Sequence, residues 1–252
     1  MALDYVRIRY WTIVRCTYQQ LLEQMESWLV DGASHYVCFC DGNGMPRAWH
    51  DDLELREAYA RADAVCADGI AIDWLARICG GGAARLTGPK LFVAAMEYGI
   101  KRGWRHYFYG TNQETLNKLA KQMVSQFPGV NVVGMFAPGF AEDPAPPPIA
   151  KGEVDILWVA LGCPKQEKWC ARHVKKLGVP IVMPVGAAFD FHSGAVAKTP
   201  EWIESLGLCW LWRLLTGGRR VFFRNLNCVS RACWVVVCEF IRVRILKRAI
   251  PG

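Results

Sequence analysis

The sequence predicts an α/β fold: a Rossmann-like, mostly parallel sheet flanked by helices, with a helical, basic C-terminal appendage. Short apolar runs alternate with longer stretches of helical periodicity, which is the pattern of repeated β-α units. Several of the runs are apolar on both faces, as expected for central strands of a parallel sheet. After Pro200 the alternation stops, and Trp, Phe and Arg become frequent. We therefore predict an α/β domain over residues 1–200 and a helical appendage over residues 201–252.

The predicted strands and helices follow one another along the domain. Strands are predicted at 35–40, 63–67, 105–110, 130–136, 154–162 and 179–186. Helices are predicted at 51–61, 69–79, 88–101, 112–126 and 164–177. After a short N-terminal strand, Thr17 is expected to cap a further helix, because its hydroxyl can accept a first-turn N–H group. The Pro-rich segment 137–150 is predicted to be a loop, either a surface connection or a lid over a site.

The composition indicates a folded, cytoplasmic protein. Hydrophobic residues make up 52% of the 252 residues, enough for a substantial core. The first residues lack the basic-then-apolar pattern of a signal peptide, and no run reaches the roughly 18 apolar residues of a spanning helix. The 11 cysteines contain no C-x-x-C pair, so we expect reduced thiols rather than a disulfide framework or a zinc site.

The charge is concentrated at the C-terminal end. The net charge of the chain is +7, and from Cys209 onward nine Lys and Arg residues stand against a single acidic residue, Glu239. The part before Cys209 is therefore almost neutral. Because the tail interleaves its arginines with Trp and Phe, it suits an anionic membrane surface, although nucleic-acid-binding proteins share such basic tails.

Candidate site residues follow the predicted strands, where open α/β sheets bind their ligands. Asp68 comes after the strand at 63–67 and before a helix, so it is either a helix cap or a general base. Gly110 and Thr111 lead from another strand into a helix whose N-terminal N–H groups favour phosphate. Both turns are candidates for substrate contacts.

The stretch LGCPKQE, at 161–167, raises a sharper question. Gly162 allows close backbone approach, and Lys165, Gln166 and Glu167 fall in the first turn of the next predicted helix. A carboxylate is favourable at a helix N-terminus, whereas a lysine is favourable there only beside a bound anion. Lys165 is therefore expected either to serve a phosphate or to pair with Glu167.

Two more turns carry polar residues. Gly186 ends the last predicted strand, and Asp190 and His192 follow it. No third metal ligand is evident, so Asp190 is expected to be structural or to bind a sugar hydroxyl, and His192 to be satisfied locally. Arg85 precedes a Gly-Pro helix start and is either a bidentate ligand of a diphosphate or an exposed charge.

Taken in order, these segments resemble one family. The segments are DLELREAYARADAVCADGIAIDWLAR, RLTGPKLF, YFYGT, DILWVALGCPKQEKW, PVGAAFDFHSG and TPEWIESLGLCWLWRLL. They are similar to the WecG/TagA/CpsF-type glycosyltransferases, glycosyltransferase family 26, over residues 35–224. The combination of G-x-P-K-Q-E with a later G-x-x-F-D-x-x-x-G is the most specific part of this resemblance.

The resemblance implies an inverting, metal-independent transfer with no cofactor. A hexose or N-acetylhexosamine-type sugar would pass from a UDP-sugar to a polyprenyl-diphosphate-linked saccharide during synthesis of exopolysaccharide, capsule or teichoic acid. The implied partners are these two substrates and an anionic membrane, with no nucleic acid, and a homo-oligomer is left open. The implied location is cytoplasmic, peripherally associated with the inner face of the cell membrane.

The resemblance also implies roles for individual residues. Asp68 matches the proposed base, Gln166 matches a residue of the active site, and Arg85 lies at the substrate. Cys40 stands where the family has the Thr of a Thr-x-Asn element that serves the donor sugar. Substrate contacts are predicted in addition for Gly110, Thr111, Gly162, Lys165, Glu167, Gly186 and Asp190, and contacts with the lipid diphosphate or the membrane for Arg213, Arg219, Arg220 and Arg224.

Two other functional classes fit parts of the sequence. A nucleotide-dependent oxidoreductase would share the α/β sheet, but the glycine fingerprint and the acidic residue that follows it are missing. A nucleic-acid-binding protein would share the basic aromatic tail.

Overall fold

Six parallel strands form the central sheet. The structure, a computed structural model, describes residues 3–196, 200, 202–203, 211–212 and 218–245, and of residues 218–225 the backbone alone. The strands are β3 (His35–Asp41), β4 (Ala64–Asp68), β5 (Arg105–Gly110), β6 (Asn131–Phe136), β7 (Ile156–Ala160) and β8 (Ile181–Pro184). They lie in the order β4-β3-β8-β7-β5-β6, and each pairing is parallel. The predicted Rossmann-like sheet is confirmed.

A hairpin and a capped helix precede the sheet. Strands β1 (Asp4–Arg7) and β2 (Thr12–Arg15) pair antiparallel, where the sequence predicted one short strand. Thr17 caps α1 (Tyr18–Trp28) as predicted: its hydroxyl accepts a hydrogen bond from the Gln20 N–H at 3.2 Å. The Gln20 side chain accepts one from the Thr17 N–H at 2.9 Å, which completes a reciprocal capping box.

Helices cover both faces of the sheet. They are α2 (Gly44–His50), α3 (Leu53–Arg61), α4 (Ile70–Ile78), α5 (Gly88–Ile100), α6 (Gln113–Gln126), α7 (Lys165–Leu177), α8 (Ala188–His192) and α9 (Gly218–Phe240), the last continuing into a π-helical turn over Ile241–Ile245. The core on one face lies under α2, α3, α4, α7 and α9. The core on the other face lies under α1, α5, α6 and α8. The fold is thus a three-layer α/β/α arrangement.

The helix predicted at 51–61 is α3 in the structure, and a further helix, α2, precedes it. Asp52 caps α3, since its Oδ1 accepts a hydrogen bond from the Leu55 N–H at 3.0 Å. The chain before it forms α2, which the sequence analysis missed because Gly44 is a poor helix former. Pro46 is tolerated there, since the first helical turn needs no N–H donor from it.

The Pro-rich segment 137–150 contains no helix or strand, as predicted. It packs on the sheet through side chains that donate to its backbone carbonyls. The Tyr109 hydroxyl donates to the Ala145 carbonyl at 2.7 Å, and the Trp169 indole donates to the Pro144 carbonyl at 2.8 Å. These anchors favour the interpretation as a surface connection for the second half of the segment.

Helix α9 packs against α2 and α4, so the described part of the predicted appendage belongs to the core of the domain. Ala232 and Val235 are buried there. Glu239 is also buried, and Arg242 neutralises it by donating from Nε to both carboxylate oxygens at 2.9 Å. A domain boundary near residue 200 stays a prediction.

Candidate functional site at the carboxyl edge of the sheet

The connections of two neighbouring strands open a crevice at the carboxyl edge. Strand β3 leads into α2 on one face of the sheet, whereas β8, its neighbour, leads through Gly186 into α8 on the other face. Open α/β sheets bind ligands where neighbouring strands diverge in this way. The candidate residues at the ends of β3, β4 and β8 surround this crevice.

Asp68 lies at the end of β4, directly beside Asp41 at the end of β3. The two residues are register partners in adjacent parallel strands, so their side chains share a face at a strand spacing of about 4.8 Å. Asp68 does not cap α4, because the N-cap position is Gly69, which has no side-chain cap. Instead its Oδ2 accepts a hydrogen bond of 3.4 Å from the Gly88 N–H. The interpretation of Asp68 as the cap of α4 is therefore wrong, and the N–H group that it accepts belongs to the first residue of α5.

Arg85 lies next to Asp68 through backbone pairing. It forms an isolated parallel bridge with Ala67, and the Leu86 N–H donates to the Ala67 carbonyl at 3.0 Å. The residue is half-buried rather than fully exposed. The alternative of a freely exposed charge is thus wrong, and the backbone of Arg85 lies beside that of Asp68.

Gln166 and Glu167 form a buried pair at the start of α7. Gln166 is 5% exposed and Glu167 is 1% exposed. Gln166 Nε2 donates to Glu167 Oε1 at 2.9 Å, while Gln166 Oε1 and Glu167 Oε2 have no hydrogen-bond partner within the described residues. Burial raises the pKa of Glu167 to about 7, although the hydrogen bond from Gln166 opposes this rise. The pair therefore has two buried oxygen atoms, shielded from water, whose hydrogen-bonding capacity is not satisfied within the described residues.

Gly186 is required for Gln166 to occupy its position. The backbone of Gly186 has φ +50°, and a Cβ there would lie 3.1 Å from both Gln166 Nε2 and Gln166 Oε1. Any larger residue would push the amide away from the end of β8. Gly162, in the turn before α7, has φ +81° and open space around its Cα. Its carbonyl accepts the Gln166 N–H at 3.0 Å, which begins the helix.

The side chain of Lys165 does not pair with Glu167. Its Nζ donates to the Ala141 carbonyl at 2.9 Å, in the first half of the Pro-rich segment. The predicted pairing with Glu167 is wrong, because Glu167 turns inward beneath Gln166 while Lys165 turns outward. Lys165 ties the loop to the turn at Gly162.

Gly110 and Thr111 lie far along the edge from Asp68. Thr111 has φ +47°, and its N–H donates to the Ala160 carbonyl at 2.9 Å, while Asn112 caps α6 through the Thr115 N–H. Four strand spacings separate β4 from β5, which amounts to roughly 19 Å. The structure therefore does not bring this turn to Asp68, although it remains at the same edge of the sheet.

Cys40 does not face the crevice. It has no exposed surface and lies in the core beneath α2 and α3. Burial raises the pKa of its thiol well above the usual value, and the charges of Asp41 and Glu167 add to the rise. A contact between the Cys40 side chain and a substrate, as predicted, is not compatible with this burial. The next residue, Asp41, reaches the edge instead.

Asp190 and His192 lie in α8, at the side of the crevice. Asp190 is half-buried, and burial raises the pKa of its carboxyl group. Its carboxylate accepts no hydrogen bond within the described residues, whereas its backbone carbonyl accepts the Val196 N–H at 3.1 Å. His192 Nε2 lies 3.1 Å from the Pro89 carbonyl, which agrees with the prediction of a local partner for one of its two ring nitrogens.

The sequence analysis missed two charged residues near the crevice. Asp41 Oδ1 accepts hydrogen bonds from the Asn43 N–H at 3.0 Å and the Gly44 N–H at 2.7 Å, which turns the chain into α2. The D-G-N-G run after a buried strand was the available signal for Asp41. Arg47 lies on α2, a helix that the periodicity did not reveal. Sequence reasoning had no signal for Arg47.

The predicted contacts of the C-terminal arginines lie outside what the structure describes. Arg213 is outside the described residues, and so are the side chains of Arg219, Arg220 and Arg224 at the start of α9. Within the described residues, no group of three or more His, Cys, Asp or Glu side chains could hold a metal ion.

The comparison with known proteins agrees with this geometry. The sequence matches the family described as "Glycosyl transferase WecG/TagA/CpsF family" over residues 6–245. It is similar to the N-acetylglucosaminyldiphosphoundecaprenol N-acetyl-beta-D-mannosaminyltransferase of Bacillus subtilis (strain 168), at 25% identity over 65% of each chain. The protein of the same name from Bacillus spizizenii (strain ATCC 23059 / NRRL B-14472 / W23) is 27% identical over 63% of each chain.

The matched region spans less than two thirds of the length of these two relatives. The family match, in contrast, covers nearly the whole chain from the N-terminal hairpin to the end of the π-helical turn. The chain therefore belongs to the WecG/TagA/CpsF family of glycosyltransferases.

Proposed function

We propose that the chain is an inverting glycosyltransferase that moves a hexose or N-acetylhexosamine-type sugar from a UDP-sugar to a polyprenyl-diphosphate-linked saccharide. The product would serve bacterial surface polysaccharide synthesis. The observation that carries the proposal is Asp68, a carboxylate at a strand end that does not cap the helix following it and lies beside the backbone of Arg85. The relatives, named for N-acetylmannosaminyl transfer to a diphosphoundecaprenol-linked sugar, make N-acetylmannosamine the first donor sugar to test.

Asp68 is assigned the role of general base. It takes the proton of the acceptor hydroxyl, and that oxygen attacks the anomeric carbon from the face opposite UDP. The new carbon–oxygen bond forms as the bond to the β-phosphate oxygen breaks, and UDP leaves with the electron pair. The proton passes from Asp68 to solvent. A single displacement of this kind inverts the anomeric configuration.

Arg85 is assigned to the charge that develops on the leaving diphosphate. A guanidinium offers a planar fork of N–H donors, which matches phosphate oxygens in bidentate fashion. The backbone of Arg85 lies beside Ala67, so its positive charge is assigned to the same side of the crevice as the base. A fixed cation at the place where charge develops stabilises the transition state more than the ground state.

Gln166 is assigned to a sugar hydroxyl. Its Nε2 is held by Glu167, and its Oε1 lacks a partner within the described residues. A buried acceptor without a hydrogen bond is costly, so a hydroxyl that reaches it gains a strong interaction. Gly186 leaves room for this approach from the end of β8.

The exposed face of α9 supports docking on a membrane. Trp234, Val237, Ile241 and Ile245 are all exposed and recur every three or four residues, opposite the buried Ala232 and Val235. No helix in the described ranges is both long and apolar enough to cross a membrane. A helix with one apolar stripe and basic neighbours lies in the membrane interface. We assign the chain to the cytoplasmic face of the membrane, as a peripheral protein, on this pattern.

Vesicle flotation tests the membrane assignment. The full chain should float with vesicles that contain anionic lipid, and Trp234→Ser should weaken the binding several-fold. Phe140→Ser is the matched control, because Phe140 is fully exposed in the Pro-rich segment, away from α9. Equal binding by both variants and the wild type, or saturable oligonucleotide binding without flotation, would contradict the assignment.

Sugar transfer tests the proposed function itself. UDP-sugars are first compared by the rise in melting temperature that each gives the full chain, since only a ligand of the folded state stabilises it. The best donor is then incubated with a polyprenyl-diphosphate-linked N-acetylglucosamine acceptor. We expect a glycosylated lipid whose new linkage, observed by NMR, has the anomeric configuration opposite to the donor's. Retention of configuration, or no product with any UDP-sugar, would contradict the proposal.

A further inference from the structure

Arg47 turns toward the crevice from the first helix beyond β3. Gly44, which opens α2, lies against the site: a Cβ there would be 3.3 Å from Asp41 Oδ1 and 3.4 Å from Cys163 Sγ. Arg47 follows three residues later, so it lies on the same face of α2. Burial raises the pKa of Cys163, and the nearby positive charge of Arg47 acts against this rise. The guanidinium is thus close to the turn at Gly162.

Arg47 is a half-buried cation without an anionic partner in the described part of the chain. Other arginines that are equally enclosed are committed to protein groups. Arg56 donates to the Ala48 and Trp49 carbonyls at 2.8 Å, and Arg105 donates to Asp155. A guanidinium has five N–H donors, and leaving them unpaired at a partly desolvated position is unfavourable. The pattern indicates that an anion from outside the chain completes the site.

Helix α9 supplies a second arginine to the same place. A depression of about 80 Å³ lies between α2 and α9 and is lined by Asn43, Pro46, Arg47, Asn227, Cys228 and Arg231. Arg231 is paired with Asp51, whose side chain is 62% exposed. Exposed pairs of this kind contribute little to stability, so Arg231 can exchange Asp51 for a better anion at small cost. The two guanidinium groups thus share one small polar depression.

The seam between the two helices continues outward from Arg231. A larger depression of about 250 Å³ follows and is lined by His50, Ser230, Arg231 and Trp234. Trp234 also belongs to the exposed apolar stripe of α9. A charged head held by the two arginines would therefore have room for an attached apolar chain that leads to the stripe.

We propose that Arg47 and Arg231 bind a diphosphate group in the seam between α2 and α9. The inference rests on the proposed function, which supplies two molecules with a diphosphate: the nucleotide donor and the prenyl-linked acceptor. Two planar forks can each hold two oxygens of a diphosphate. The Asp41 carboxylate, at the start of this seam, accepts hydrogen bonds from two backbone N–H groups at its Oδ1.

Calorimetric titration of the full chain tests the proposal. The ligands are inorganic diphosphate, UDP and geranyl diphosphate, a short prenyl diphosphate that dissolves in water. Arg47→Gln should weaken the binding of inorganic diphosphate about 10-fold or more, the loss expected for a charge-assisted hydrogen bond. The affinity of Arg47→Lys for inorganic diphosphate should lie between those of the wild type and Arg47→Gln, since lysine keeps the charge and loses the planar fork of N–H donors. Arg61→Gln is the control for net charge, because Arg61 is exposed at the end of α3, on the amino side of β4.

The two organic ligands distinguish the source of the diphosphate. Loss confined to geranyl diphosphate assigns the site to the acceptor, and loss confined to UDP assigns it to the donor. Equal affinities of the wild type and Arg47→Gln for all three ligands, or no binding of any of them to the wild type, would overturn the inference. If the wild type transfers sugar while Arg47→Gln binds normally, only this inference fails. If Arg47-dependent diphosphate binding occurs without any sugar transfer, the proposed function fails and the anion site stands.

Discussion

The two edges of the sheet differ in how completely their carboxylates are hydrogen-bonded. At the amino edge, Asp155 is fully paired: it accepts from Arg105 NH2 at 2.6 Å, from Arg105 Nε at 3.0 Å and from the Arg105 N–H at 2.8 Å. Burial alone would raise the pKa of Asp155, but these hydrogen bonds outweigh it and hold the pKa below the usual value. The amino edge therefore uses charge to fix strands β5 and β7.

A second carboxylate at the amino edge is paired as well. Asp63, just before β4, accepts from the Tyr36 N–H at 3.0 Å and lies 3.0 Å from His35 Nδ1. Further along β5, burial lowers the pKa of His106 to about 4, so this residue is neutral at pH 7 and accepts the Trp158 indole N–H at 3.1 Å. Ionisable groups in this half of the domain are satisfied or neutral.

The carboxyl edge instead collects several acidic groups near neighbouring strand ends. Asp41 and Asp68 are register partners, Asp190 accepts no hydrogen bond at its carboxylate within the described residues, and Glu167 is buried with one unpaired oxygen. Such an arrangement lowers stability and is typical of functional sites, where a ligand completes the missing interactions. The comparison separates carboxylates that stabilise the fold from carboxylates that can still bind a ligand.

The sharpest test of the comparison replaces one carboxylate at each edge. Asp155→Asn should lower the free energy of unfolding by about 3 kcal/mol, because it leaves Arg105 without its charged partner. Asp190→Asn should change it by less than about 0.5 kcal/mol, because no described hydrogen bond to the carboxylate is lost. Urea denaturation measures both. Equal losses for the two variants would break the distinction between the edges.

Glu167 should make stability depend on pH. Its pKa is raised by burial to about 7 in the folded chain, so its favourable contribution is complete below the unfolded pKa of about 4.3 and is lost as the pH rises through 7. Between pH 5 and pH 8 the free energy of unfolding of the wild type should fall by about 2 kcal/mol because of Glu167. In Glu167→Gln this part of the fall should be absent, because glutamine stays neutral. Denaturation at the two pH values measures it. An unchanged pH dependence in the variant would show that Glu167 ionises normally.

Two glycines at the carboxyl edge separate backbone strain from the position of Gln166. Gly186→Ala and Gly162→Ala both place a side chain at positive φ, which costs each about 1 kcal/mol of stability. Only Gly186→Ala also displaces the Gln166 amide, so it alone should lower turnover, by about 10-fold or more. Steady-state kinetics with a UDP-sugar checks this. Equal turnover of the two variants would argue against a role for Gln166.

The fold could be predicted because the sheet strands carry a strong local signal. A strand that is buried on both faces, such as β7 with residues ILWVA, is a continuous apolar run in the sequence and can be recognised without knowledge of its neighbours. Helix α2 escaped prediction because Gly44 and Pro46 weaken its local signal, while burial of Met45, Ala48 and Trp49 stabilises it in the folded chain. Tertiary packing thus stabilises α2 where the local sequence does not reveal it.

The site could be predicted in part, because strand ends identify an edge but do not fix distances along it. Asp68 and Gln166 were found from their positions after strands, and Arg85 from its position before a Gly-Pro helix start. In the structure, the backbone of Arg85 lies beside the end of β4, and Gln166 lies against Gly186 at the end of β8. The order of the strands separates Gly110 from Asp68, and the sequence contains no direct record of that order. The burial of Cys40 and the direction of Lys165 likewise depend on packing between helices.

The most direct test of the central claim uses the two ends of β4. Asp68→Asn should lower turnover by about 10²–10⁴-fold, as expected for loss of a general base, with little change in UDP affinity or in stability. Asp63→Asn, at the amino end of the same strand, should lower stability by about 1 kcal/mol and leave the turnover of the folded protein unchanged. Near-normal turnover by Asp68→Asn, measured as sugar transferred from the preferred UDP-sugar, would contradict the account.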